Sequence, residues 1–145
     1  MGAWQPGPGI IEFPDGRRVR GRGLSKPIDS SQEPELGVYL LGQRPSEANW
    51  PTLWIPWRDF GLPKSTEQAI ELLQEAHRRA ATQRVEIACN GGTGRTGTAL
   101  SIMAILSGVP AEDAVKWVRE HYRKRAVETL WQKRWVRTSA AALPL

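Results

Sequence analysis

At 145 residues, with 40% hydrophobic and 24% charged side chains, the chain can bury one substantial core, and its composition excludes pervasive disorder and fibrous architectures. No run approaches the ~18 apolar residues of a membrane span. The opening MGAWQPGPGIIEF lacks a charged stretch followed by an apolar one, so a single domain over residues 1–145, not inserted in a membrane, not exported and cytoplasmic, is the expectation. The single cysteine, Cys89, excludes an intrachain disulfide and leaves any metal site without a second thiolate.

The first predicted element is a hairpin over about 8–24, where GIIEF and RRVRG flank the turn Pro14-Asp15-Gly16. GVYLLG at 37–42 and TLWIPW at 52–57 are short apolar runs bounded by Gly or Pro and read as strands, with QRPSEANWP a loop between them. From Ser65 the spacing turns helical, Ala69, Leu72, Leu73 and Ala76 sharing one face. VEIAC at 85–89 is a strand entering a glycine-rich turn, and TGTALSIMAILSG at 96–108 is a nearly all-apolar helix, expected to be buried. Pro110 opens an amphipathic helix with Ala114, Trp117, Val118 and Tyr122 inward, and a last helix is expected around Leu130 to Val136, followed by a frayed tail from about 138 to 145. Early strands followed by strand–helix alternation predict an α/β three-layer sandwich with a central mixed sheet.

A net charge of +5 and a pI near 9.9 imply attraction to anions. The positive charges of Arg119–Arg125 and Lys133–Arg137 alternate with apolar residues as the outer faces of helices do, which disfavours a nucleic-acid partner. The seven tryptophans are explained by core and loop anchoring, and His77 and His121 by solvated or partly packed helix positions.

The chemistry-bearing stretch runs from Cys89 through Asn90, Gly91, Gly92, Thr93 and Gly94 to Arg95 and Thr96. A turn of small residues can aim successive backbone N–H groups at one centre, and the helix that follows adds its positive N-terminal dipole. Such surroundings favour thiolate over thiol; a free cysteine titrates near ~8.5, and helix N-termini with nearby cations lower this to ~3.5–7.5. Cys89 is therefore a candidate nucleophile, Arg95 a two-pronged oxyanion clamp, and Thr96 a hydroxyl donor to the sulfur. Alone, Cys89 would read as a small buried hydrophobe; the loop and Arg95 reverse that reading.

Cysteine, five residues, arginine and threonine resemble the signature loop of the cysteine-dependent protein tyrosine phosphatase superfamily, and the GG-x-GRTGT form is most similar to dual-specificity and small bacterial members. Trp57-Arg58-Asp59-Phe60-Gly61-Leu62-Pro63 resembles the family's mobile acid loop. Arg123 to Gln132 resembles its late glutamine-bearing loop. The resemblance implies a phosphatase-like fold, Cys89 as nucleophile, Asp59 as general acid and then base, Arg95 as phosphate clamp, Gln132 as the residue that orients hydrolytic water, and Asn90 to Gly94 as phosphate binders. Phosphorylated protein or another phosphomonoester is the implied partner, and the resemblance implies no metal and no cofactor. Asp59 must be protonated for the first step, so activity is expected to peak on the acid side of neutrality.

Ala88 stands where most members have a histidine, Arg58 replaces the usual proline of the acid loop, and Glu128 stands where a glutamine is common. A phosphate-holding module without turnover, and a phosphatase for phosphoinositides or RNA 5′ ends, are the competing readings. A Walker loop fails for want of the lysine at its required spacing.

Overall fold

Alternation of core-facing aliphatics with a polar or aromatic set builds the sheet. A computed structural model describes residues 4–27 and 32–143, with strands β1 (Ile10–Glu12), β2 (Arg18–Gly23), β3 (Leu36–Leu41), β4 (Thr52–Pro56) and β5 (Val85–Cys89). The sheet order is β1-β2-β5-β3-β4; β1 runs antiparallel to β2 and the other pairings are parallel, so the sheet is mixed as expected. β5 is central and buried along its whole length.

Ile11, Val19, Leu36, Val38, Leu40, Ile55, Val85 and Ile87 lie on the core side at every second strand position. Against them pack α1 (Thr66–Arg79), α2 (Gly94–Leu106), α3 (Ala114–His121) and α4 (Leu130–Ser139). α1 begins where the Ser65 side chain accepts the Gln68 amide, and it buries Ala69, Ile70, Leu73 and Ala76. α2 is apolar on all sides because it touches the sheet together with α1, α3 and α4.

The other sheet face carries the alternate residues Arg20, Arg22, Tyr39 and Glu86. Among the described residues its outer layer is made of side chains and loop. Glu86 is fully buried; its Oε1 accepts from Arg20 (2.6 Å) and Arg22 (2.5 Å), and its Oε2 from the Tyr39 hydroxyl (2.9 Å). Trp4 lies over Arg20 and donates its ring N–H to the Val85 carbonyl. Burial beside this carboxylate pushes the Tyr39 phenol up to about 12, so it stays a donor.

Two expectations are corrected. α2 starts at Gly94, two residues early, which puts Arg95 and Thr96 in its first turn, where backbone amides have no intrahelical acceptor. The tail expected to fray from 138 instead continues α4 to Ser139, turns through Ala140–Ala142 and buries Leu143 against the core; residues 144–145 lie outside the described chain. No helix among the described residues is long and apolar enough to cross a membrane.

Candidate active site

β5 lies between two parallel neighbours, and Cys89 stands at its carboxyl end, the end of the strands at which ligands of open α/β sheets bind. Cys89 ends β5 and Thr93 caps α2, so the expected phosphate loop is the strand-to-helix turn. Gly92 has φ +74°, and a Cβ there would collide with the backbone of Arg22 and Gly23. Gly23 is tied in the same way, since its own Cβ would meet the Gly91 carbonyl at 2.7 Å. The turn lies backbone to backbone against the end of β2.

The Cys89 side chain is nearly fully enclosed, and its sulfur accepts the Gly92 amide (3.2 Å) and the Thr96 hydroxyl (3.1 Å). Both donors are aimed at the sulfur from the turn and from the first turn of α2. Arg95 is buried beside it; Nη1 donates to the Trp57 carbonyl (3.1 Å), Nη2 stands 3.5 Å from Asp59 Oδ1, and Nε has no acceptor among the described residues. A buried guanidinium N–H without an acceptor is costly unless a ligand supplies one.

Asp59 reaches this cluster on a turn closed by the Gly61 amide on the Arg58 carbonyl, so Arg58 serves without proline at its position. Trp57 anchors the turn: it is buried, packs edge-on to Trp135 and donates its ring N–H to the Gly61 carbonyl at 2.7 Å. Trp131, on α4, donates to the Phe60 carbonyl at 2.6 Å. Spacing alone left this latch unseen, because Trp131 and Phe60 are distant in the chain.

Gln132, expected to orient hydrolytic water, has both ends of its side-chain amide engaged. It is wholly buried, its Oε1 accepts the amides of Glu128 (3.0 Å) and Thr129 (3.2 Å), and its Nε2 donates to the Gly61 carbonyl (3.1 Å). With Thr129 it forms a capping box at the start of α4. The pattern Thr129-x-x-Gln132 carried that signal in the sequence. The carboxylate of Glu128, not the amide of Gln132, lies against Gly94.

Ala88 also has a structural reason. It sits in register between Arg22 and Tyr39, on the face that the Glu86 cluster fills. A histidine there would compete for the same space.

Residues 37–139 match the family model described as protein-tyrosine phosphatase. The chain belongs to that family. Among curated proteins it is similar to two uncharacterized proteins of Methanocaldococcus jannaschii, 40% and 36% identical over 88 residues and 59% of this chain; it spans 57% and 53%, a little over half, of their lengths. Among solved structures, Tk-PTP in the active form is 27% identical with a TM-score of 0.75, covering 94% of this chain and 99% of that one. Kinase-associated phosphatase, with its catalytic cysteine replaced by serine, is 14% identical with a TM-score of 0.68, covering 97% and 100%, and DUSP15 is 13% identical at 0.65, covering 94% and 90%; these two share the fold.

Proposed function

We propose that this chain hydrolyses phosphate monoesters through a cysteinyl-phosphate intermediate on Cys89, and that its substrates are phosphorylated proteins, as for a tyrosine or dual-specificity phosphatase. The observation that carries the reading is the convergence of the Gly92 amide and the Thr96 hydroxyl on the Cys89 sulfur, beside the buried, incompletely paired Arg95.

The Cys89 thiolate attacks phosphorus, forming the S–P bond as the bond to the leaving oxygen breaks. Asp59 gives that oxygen its proton. Water then attacks phosphorus, the S–P bond breaks, and the Asp59 carboxylate takes a proton from the water. Arg95 and the loop amides stabilise charge on the phosphoryl oxygens throughout, each well-aimed donor contributing about 3 kcal/mol.

A protein substrate is supported by the rim. Among the described residues, the exposed large hydrophobics are Phe60, Leu62, Leu130 and Trp131, all in the Asp59 turn or in the first turn of α4 that is hydrogen-bonded to it. The leaving group must pass Asp59 and therefore this rim. An aryl ester or a peptide gains from such contact; a polyhydroxylated inositol does not.

The test is para-nitrophenyl phosphate hydrolysis across acid and neutral pH by the parent, Cys89→Ser and Asp59→Asn, followed by a phosphotyrosine peptide against a soluble inositol phosphate. Turnover abolished in the first variant and reduced on the acid side in the second is expected. A parent that binds vanadate but releases no phosphate would refute hydrolysis and leave a phosphate-holding module; preference for the inositol ester would refute the substrate class.

A further inference from the structure

The carbonyl groups of the phosphate loop are all taken by donors on its outside. Cys89 O accepts the Leu24 amide (2.9 Å) and Asn90 O the Ser25 amide (3.0 Å), both from the chain leaving β2. Thr93 O accepts the Gly97 amide (2.9 Å) and Gly94 O the Thr98 hydroxyl (2.7 Å), both from α2 itself. The two carbonyls between these pairs use side chains from the far end of α3: Arg123 Nη1 donates to Gly91 O (3.0 Å) and the Tyr122 hydroxyl to Gly92 O (2.5 Å). Arg123 Nη1 also reaches the Thr93 hydroxyl at 3.1 Å.

A peptide unit is planar and trans, so a carbonyl turned outward turns the following N–H inward. The Gly91 carbonyl held by Arg123 belongs to the same plane as the Gly92 N–H that reaches the Cys89 sulfur. The Gly92 carbonyl held by Tyr122 likewise fixes the direction of the Thr93 N–H. These planes flank glycines, the residues with the least intrinsic preference for one orientation, so an external hold matters most here. Tyr122 is seated to provide it: its ring lies against Gly21, where a Cβ would come within 2.7 Å, and burial raises its pKa over the opposing charge of Arg123, keeping the hydroxyl a donor.

We infer that Tyr122 and Arg123 are positioning residues that aim the amides of Gly92 and Thr93 into the anion cradle without touching the substrate. The inference rests on the reading of this loop as the phosphate site. Arg123 has a further effect, because its charge polarises the Gly91–Gly92 peptide whose N–H meets the sulfur. A merely structural role, tying the end of α3 to the loop, would alter stability alone.

Tyr122→Phe removes the hydroxyl and keeps the ring on Gly21; Arg123→Met removes charge and donor, and Arg123→Lys restores charge without the fork. The readouts are orthovanadate affinity by calorimetry, the iodoacetamide alkylation rate of Cys89 at about pH 6, where the thiolate is the reacting species, kcat and KM for para-nitrophenyl phosphate, and Tm. Loss of one aimed donor is expected to weaken vanadate binding and slow alkylation by about five-fold or more, with kcat falling more than KM rises and lysine rescuing only in part. Parent-like vanadate affinity and alkylation in Tyr122→Phe, whatever happens to Tm, would overturn the inference. That variant decides the matter even where Arg123→Met fails to fold. Because neither readout needs turnover, a parent without hydrolysis whose variants still lose vanadate would refute the hydrolase reading while supporting the clamp.

Discussion

Replacing Gln132 with leucine separates two roles for the late loop. The substitution keeps volume but removes the acceptor for the Glu128 and Thr129 amides and the donor to the Gly61 carbonyl. Loss of the reciprocal cap costs about 1 kcal/mol, and partly buried groups left without partners cost about 1–3 kcal/mol more, so about 2–4 kcal/mol in all. At about 3 °C per kcal/mol for a domain of this size, Tm should fall by about 6–12 °C. The Asp59 turn loses one of its two hydrogen bonds to α4 among the described residues, the other being Trp131 on Phe60. Turnover should therefore fall about ten-fold more for phenyl phosphate, whose poor leaving group needs a proton, than for para-nitrophenyl phosphate. Thermal melts and stopped-flow release of para-nitrophenolate check both expectations. An unchanged Tm, with a burst of about one equivalent before slow turnover, would refute the reasoning, because a trapped cysteinyl-phosphate is the mark of a residue that activates water.

Other outcomes follow from the same geometry. Gly92→Ala forces a side chain into a positive-φ position against the backbone of β2 and should cut turnover about 100-fold in a steady-state assay, with a lowered Tm. Glu86→Leu leaves Arg20 and Arg22 without their buried counter-charge and should cost about 3–5 kcal/mol in urea unfolding. Burial holds the His77 pKa below 6.5, against the smaller opposing pull of Asp15, so the folded state binds fewer protons than the unfolded one. Stability should then be fully present above about pH 6.5 and fall as pH drops through the folded value, a slope that His77→Gln should flatten in melts over that range.

Much of the candidate site's geometry was legible because it is local. Cys89, Arg95 and Thr96 lie within one strand–turn–helix, and the glycines between them announce a backbone aimed at an anion. Asp59 was legible through its neighbours, Trp57 and the Phe60–Pro63 run. What the sequence could not display is the long-range pairing: Trp131 with Phe60, Tyr122 with Gly92, Arg123 with Gly91. Tyr122 did appear as an inward residue of a helix, but periodicity reports a direction, not a partner. Gln132 was assigned by motif position, while its hydrogen bonds are those of a helix cap. Glu86 went unremarked, because one acidic residue in an apolar strand gives no hint that two arginines from a neighbouring strand will enclose it.

Backbone strain locates the part of the design that pattern reading misses. Among the described residues, the two non-glycine residues at positive φ are Phe60 (59°) and Val127 (66°), and for an aromatic and a β-branched side chain that conformation costs about 1–3 kcal/mol each. Both lie in loops that face the phosphate turn, and both are pinned by a side-chain donor. Trp131 holds the Phe60 carbonyl, and Arg119 holds the carbonyls of Ala126 and Val127, each at 2.7 Å. Beside Phe60 stands Asp59, 3.5 Å from Arg95; beside Val127 stands Glu128, against Gly94. At exposed Phe60 packing alone would permit a glycine or asparagine and release the strain, whereas Val127 is fully buried. Strain held in place by a dedicated donor, next to a carboxylate that lies by Arg95 in one loop and against Gly94 in the other, fits loops shaped by the candidate site.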